Sequence, residues 1–229
     1  MTSEINTSLQ ASMETQQTQI SERAPLRVVV LISGSGSNLQ ALIDAIESNS
    51  LPGVEIALVV SNKAGALGMQ RALKHKIAAL YLPWRTREEW EAKLSDLLRL
   101  FQADMIVLAG FMRILSSKFI ERYPQGIINL HPALIPDDGA GETYTTSDGN
   151  IIPVFRGMHA PRQALEAGVA ITGSTVHYVV PEVDAGPPIC RREVIIEDGD
   201  TEDSLQERIK LVEHHLIVEA IRLLQQRTS

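Results

Sequence analysis

Leu26-Arg27-Val28-Val29-Val30-Leu31-Ile32-Ser33 runs straight into Gly34-Ser35-Gly36-Ser37-Asn38. The run to Ile32 is aliphatic and rich in β-branched residues with almost no polar alternation, the pattern of a strand buried on both faces. The glycines and small polar residues then turn the chain into a helix whose apolar positions are Leu39, Leu42, Ile43 and Ile46. A buried strand that feeds a helix through a glycine-rich turn is the first unit of a parallel sheet.

The alternation recurs. Residues 55–61, 78–82, 105–110 and 126–130 read as further strands, and residues 66–75, 86–101 and 116–123 as helices between them. This order predicts an α/β fold with a doubly wound, mostly parallel Rossmann-like sheet flanked by helices. In such sheets ligands gather outside the carboxyl ends of the strands. The C-terminal half mixes its strands: residues 161–167 make a short helix, and 171–180 and 189–197 alternate as longer strands. The last helix starts at Asp200-Thr201, has Glu202 and Asp203 in its first turn, and carries the stripe Leu205, Ile209, Val212, Leu216, Ala220, Leu223.

Composition narrows the function classes. Apolar residues make up 44% of the chain and aromatics 4%, so the core is aliphatic. A net charge of -7 without any basic run argues against nucleic acid and anionic membranes as partners. Cys190 is the single cysteine, which leaves no intrachain disulfide or Cys-based zinc site; HExxH is absent too, and the expected chemistry needs no metal. The apolar runs are strand-sized, too short for a bilayer. Residues 1–24 lack the apolar region of a secretory signal, and half of them are Ser, Thr or Gln. They read as a disordered polar tail ahead of a single domain over residues 25–229, in a cytoplasmic protein.

Three constellations bear chemistry. In the first loop, glycines admit close backbone approach and the helix N-terminus presents free N–H groups, a cradle for an anion. Leu39 stands where a dinucleotide fingerprint needs its third glycine, the second strand ends Val59-Val60-Ser61-Asn62 without an acid, and no Gly-Lys-Ser/Thr follows. The loop therefore suits a monophosphate better than NAD or ATP; a plain strand-to-helix turn capped by Asn38 is the other reading. A side chain at Gly36 is expected to fill the phosphate space. In Ile127-Ile128-Asn129-Leu130-His131-Pro132, Asn129 and His131 project from one face of a strand at its carboxyl end. They can hold an oxyanion and handle a proton, or form a hydrogen-bonded pair at a strand end. In Val180-Pro181-Glu182-Val183-Asp184-Ala185-Gly186-Pro187, Asp184 either caps a turn or lies near His131 and favours its charged form. His177 reads equally as core or site-facing.

In this order the chain resembles the folate-dependent formyltransferases, and among them the phosphoribosylglycinamide formyltransferases of purine synthesis. The strings that carry the resemblance are Val30-Leu-Ile-Ser-Gly-Ser-Gly-Ser-Asn-Leu-Gln-Ala41, Leu108-Ala-Gly-Phe-Met-Arg-Ile-Leu115, Asn129-Leu-His-Pro-Ala-Leu-Ile-Pro136, Arg162-Gln-Ala-Leu-Glu-Ala-Gly168 and Val183-Asp-Ala-Gly-Pro187. The resemblance implies that Gly36, Ser37 and Asn38 hold the phosphate of glycinamide ribonucleotide and that Glu213 binds its ribose. Met112, Arg113, Ile114 and Leu115, with the backbone of Val180, Pro181, Glu182, Val183 and Asp184, would line the pterin pocket, and Arg87 would meet the glutamate tail. Asn129, His131 and Asp184 would be catalytic. The implied co-substrate is 10-formyltetrahydrofolate, attacked directly by the ribonucleotide amine, with Asn129 and a cationic His131 stabilising the oxyanion. The implied assembly is a monomer or homodimer. A formyltetrahydrofolate deformylase and a catalytically silent folate- or nucleotide-binding regulator are the alternatives, the second disfavoured by the intact trio.

Residues 137–153 have no counterpart in the family pattern. Strand-prone residues flank Asp148-Gly149, which predicts a β-hairpin with a two-residue turn, against the alternative of an acidic loop. Ile151 or Ile152 should rest on neighbouring surface, and Pro153 makes the returning arm an edge.

Overall fold

The computed structural model describes residues 24–227, so the expected polar tail, Ala24 apart, lies outside the described residues. The elements in order are β1 (Leu26–Ile32), α1 (Ser37–Glu47), β2 (Val54–Ser61), α2 (Leu67–Lys74), β3 (Ala79–Tyr81), α3 (Arg87–Leu100), β4 (Met105–Leu108), α4 (Ser117–Ile120) and β5 (Ile127–His131). They continue with β6 (Thr143–Thr145), β7 (Ile151–Pro153), α5 (Ala160–Glu166), β8 (Ile171–Tyr178), β9 (Pro188–Ile195) and α6 (Glu202–Arg227).

The main sheet has seven strands in the order β3-β2-β1-β4-β5-β8-β9. The pairs from β3 to β5 are parallel, and β8 and β9 add antiparallel. Its order reverses beside β1, which places the crevice at the carboxyl ends of β1 and β4. Val28 through Ile32 are fully buried, as a central strand covered on both faces requires. Successive side chains split between two cores. Val28, Val30 and Ile32 meet Leu39, Leu42 and Ile43 of α1 and Leu216, Ile217 and Ile221 of α6. Val29 and Leu31 meet Trp90, Leu94 and Leu98 of α3 on the other face. Each such buried side chain stabilises the fold by roughly 1.5–3 kcal/mol relative to exposure. The apolar stripe of α6 departs from expectation at its end: Leu224 is buried and Leu223 only half-buried. Over a long helix the period of 3.6 carries a stripe around the axis, so Ile217, Ile221 and Leu224 take over from the first register.

Residues 143–153 form a two-stranded antiparallel hairpin, with Thr143 opposite Pro153 and Thr145 opposite Ile151. Ile152 is buried and Ile151 exposed. The turn is wider than the expected two-residue form. Thr146 N–H donates to Asn150 O at 2.9 Å, and Gly149 N–H donates to Thr146 O at 2.9 Å. Gly149 alone takes a positive φ, 86°, and Asp148 does not. The Asp148 carboxylate accepts instead from Thr146 Oγ1 and from Asn150, local bonds that suit a three-residue loop with a bulge at the glycine.

Candidate active site

At the carboxyl end of β1, α1 begins after Gly36, which adopts φ 69°. No side chain caps this helix. Asn38 turns away from the capping role and donates through Nδ2 to Glu213 Oε2 of α6 at 3.0 Å, both residues being buried. The first N–H groups of α1 have no intrahelical partner and remain available to an anion. The loop is backed by α2: Gly68 N–H donates to Gly34 O at 3.2 Å, and Arg71 Nε donates to Ser35 O at 2.9 Å. A Cβ on Gly36 would lie 2.5 Å from Gly68 Cα, so a side chain there collides with α2 rather than filling the phosphate space. The expectation of a tight backbone holds, but its cause is helix packing behind the loop.

His131 ends β5 and is 3% exposed. Its Nε2 lies 2.8 Å from Phe155 O and its Nδ1 3.4 Å from Asp184 Oδ2. Asp184 sits in a left-handed conformation, φ 51°, and accepts from Gly157 N–H at 2.9 Å through Oδ2 and from Asn129 Nδ2 at 3.3 Å through Oδ1. The same Asn129 Nδ2 is 3.2 Å from His177 Nε2. His177 Nδ1 faces Tyr178 O at 2.8 Å, which puts its proton on Nδ1 and leaves Nε2 to accept from Asn129. His177 is thus both buried and part of the site.

Burial pushes the Asp184 carboxyl up, but His177, the His131 charge once that ring is protonated, and the Gly157 N–H outweigh it and bring the carboxyl down to about 2. For His131 burial prevails: desolvation lowers its pKa, against Asp184 and the Phe155 carbonyl, which raise it. Both ring nitrogens face acceptors, a geometry that an imidazolium would satisfy. The Asp184 contact is nevertheless long for a charge-assisted bond, and the ring has almost no access to solvent, so the lowered direction stands. This direction runs against the cationic His131 expected from the sequence. In its neutral form the ring carries its proton on Nε2 toward Phe155 O, and the Asp184 carboxylate lies beside it to stabilise the charge that a second proton brings.

Every site residue named from the sequence lines one cavity of about 1040 Å³. Gly36, Ser37, Asn38 and Glu213 lie there with Lys210 and Gln206, one and two helical turns before Glu213 on the same face of α6. Sequence reasoning missed Gln206 and Lys210, although their spacing from Glu213 puts all three on a common stripe. Burial raises the pKa of Glu213, against its bond from Asn38 and the nearby Lys210. The cavity also takes in Met112, Arg113, Ile114 and Leu115 from the loop after β4, Arg87 at the start of α3, and residues 180–184. Met112, Ile114, Val183 and Met158 are exposed apolar side chains on this wall. Trp84, not foreseen, adds an aromatic face; its ring centroid is 5.1 Å from that of buried Trp90, and Arg113 lies over it at 5.2 Å. A cavity with backbone donors and a cation near one loop and an apolar, arginine-edged wall near another suits two ligands, a phosphate ester and a flat acidic heterocycle. Among the described residues, no three His, Cys, Asp or Glu side chains cluster as metal ligands, and no helix is long and apolar enough to cross a membrane.

The formyl transferase family model matches residues 26–143 and 148–221, with its break in the hairpin. Phosphoribosylglycinamide formyltransferase of Escherichia coli is 39% identical over 192 residues, covering 82% of this chain and 82% of its own. The human trifunctional purine biosynthetic protein adenosine-3 is 40% identical over 206 residues, 88% of this chain but only 18% of that protein. The chain therefore spans less than a fifth of this relative's length. The crystal structure of glycinamide ribonucleotide transformylase 1 from Symbiobacterium toebii superposes with a TM-score of 0.78 at 36% identity, over 90% of each chain.

Proposed function

The chain belongs to the formyl transferase family, and on that premise we propose that it transfers the formyl group of 10-formyltetrahydrofolate to the amine of glycinamide ribonucleotide. The observation that carries this reading is the shared cavity: the β1–α1 anion cradle, the apolar wall after β4 and the Asn129–His131–Asp184 cluster open into the same space. The phosphate rests on the N–H groups of Gly36, Ser37 and Asn38, with Lys210 as its cation, and Glu213 takes the ribose hydroxyls. The pterin lies against Met112, Ile114, Leu115 and the 180–184 backbone, and Arg87 and Arg113 meet the acidic tail.

The amine nitrogen attacks the formyl carbon, the carbonyl oxygen becomes an oxyanion, and the bond from carbon to the folate nitrogen breaks. Asn129 supplies a neutral donor to the oxyanion. His131, held neutral by burial, takes up the proton shed by the amine, and the imidazolium so formed is paired by Asp184 until the proton passes to the departing nitrogen. Alignment of the two substrates supplies much of the rate. The test is to follow tetrahydrofolate release from the donor with and without glycinamide ribonucleotide. Release that requires the amine supports transfer, and equal release without it makes the chain a deformylase.

A further inference from the structure

Gly139, at the base of the hairpin, and Arg156, just beyond it, meet the turn that carries Asp184. Arg156 follows the hairpin directly, and its half-buried guanidinium binds three main-chain carbonyls on two segments. Nη1 donates to Asp184 O, and Nη2 donates to Gly139 O at 3.1 Å and to Gly141 O at 2.8 Å. The next residue, Gly157, donates its N–H to the Asp184 carboxylate at 2.9 Å. Gly139 itself lies flush on the turn after Asp184: a Cβ there would come within 2.4 Å of Ala185 O.

The hairpin is pinned at its far side as well. Glu193 on β9 accepts from Ser147 N–H at 2.8 Å and from Ser147 Oγ at 2.5 Å. Arg191, also on β9, donates to Asp137 Oδ1 at 2.6 Å and to Ile135 O at 2.9 Å, and lies over the Tyr144 ring at 5.1 Å. A device that merely shields the edge of β9 accounts for the contacts of Glu193 and Arg191. It does not account for a guanidinium spent on Asp184 O, nor for Gly139 against Ala185. Asp184 has a reason to need such support, because a non-glycine residue at φ 51° is held in a sparsely populated conformation.

We propose that Arg156 is a positioning residue which, with the base of the hairpin at Gly139 and Gly141, braces the backbone of Asp184 so that its carboxylate stays aimed at His131. The brace rests on the catalytic role given to Asp184 above. Arginine suits the task because its fork reaches several carbonyls at once from one planar group, as lysine cannot.

Two perturbations of the full chain test it: Arg156→Ala, and deletion of residues 137–153 with Pro136 joined to Val154. Each should lower kcat by roughly 10- to 100-fold, the scale of lost charge-assisted hydrogen bonds, while KM for either substrate stays within about threefold. Arg156→Lys should fall between wild type and Arg156→Ala, and millimolar guanidinium chloride should restore part of the alanine variant's kcat. The two changes combined should cost no more than the worse of them alone, because both remove one brace. Independently of turnover, amide hydrogen exchange of the peptide spanning residues 180–187 should quicken in both variants. Wild-type kcat in both, multiplying losses in the combination, no rescue by guanidinium, or unchanged exchange overturns the brace. If the wild-type chain shows no amine-dependent turnover, the proposed reaction fails, and the exchange measurement still decides whether Arg156 braces Asp184.

Discussion

Replacing Asp184 with Asn removes a charge and also breaks a donor–acceptor pattern that no amide can reproduce. Oδ2 accepts from Gly157 N–H at 2.9 Å, and Oδ1 accepts from Asn129 Nδ2 at 3.3 Å. Whichever oxygen becomes an NH2 group then faces another donor. The larger effect is electrostatic. Across the 3.4 Å from Asp184 Oδ2 to His131 Nδ1, an ion pair at an effective dielectric near 20 gains about 5 kcal/mol once His131 carries a proton. That attraction exists only when the imidazole has taken up the proton from the amine, so it stabilises the transition state and not the ground state. At about 1.4 kcal/mol per decade the whole of it corresponds to more than three decades in rate. Partial compensation by the amide dipole leaves an expected loss in kcat on the order of 10² to 10⁴. Steady-state kinetics with both substrates varied measure it, and both KM values should change far less than kcat. Near-normal kcat in Asp184→Asn refutes the pairing with His131, and parallel rises in both KM values place Asp184 in binding instead.

Gly36→Ala should raise KM for the ribonucleotide by at least tenfold and leave folate affinity nearly unchanged, since the new Cβ meets the α2 backbone at Gly68 and the residue must keep φ 69°. Equal loss for both ligands, read by equilibrium titration, points to collapse of the whole junction. Lys210→Ala should weaken ribonucleotide binding and flatten its salt dependence; an unchanged salt slope removes Lys210 from the phosphate end. Stability should fall on acidification in two stages. Because burial lowers the pKa of folded His131, the unfolded chain takes up that proton first, and stability drops as pH falls through about 6.5. The Asp184 carboxyl, held at about 2 in the fold, adds stability that is present above roughly pH 4 and lost as pH approaches its folded value. Urea denaturation at several pH values measures both stages, and an unchanged slope near neutral pH in His131→Asn rules out the first.

The layout of the sheet was legible because its signals are local. The β-branched run from Leu26 and the glycine turn behind it specify strand and helix without help from the rest of the chain. Asn129 and His131 were placed on one side by strand periodicity, and the hairpin by Asp148-Gly149. Most of what was illegible depends on groups far apart in sequence, with one local exception in the hairpin. Its turn is wider because Thr146 and Asn150 close a bulged loop around the Asp148 carboxylate. The lowered pKa of His131 comes from burial, which no local string announces, and the carbonyl that its Nε2 meets belongs to Phe155, 24 residues along the chain. The collision behind Gly36 comes from Gly68 on another helix. The role of Arg156 was illegible, since nothing in Phe155-Arg156-Gly157 points to the carbonyl of Asp184. Lys210 could have been found from its spacing to Glu213.

In the proposed reaction the formyl carbon passes directly to an amine. Incubating the protein with a donor carrying carbon-13 in its formyl group, together with glycinamide ribonucleotide, and following the label by NMR tests this most directly. The label should move into a formamide on the ribonucleotide in step with tetrahydrofolate release, and both should stop when the amine is left out. Label accumulating as free formate at the same rate with or without the ribonucleotide contradicts it.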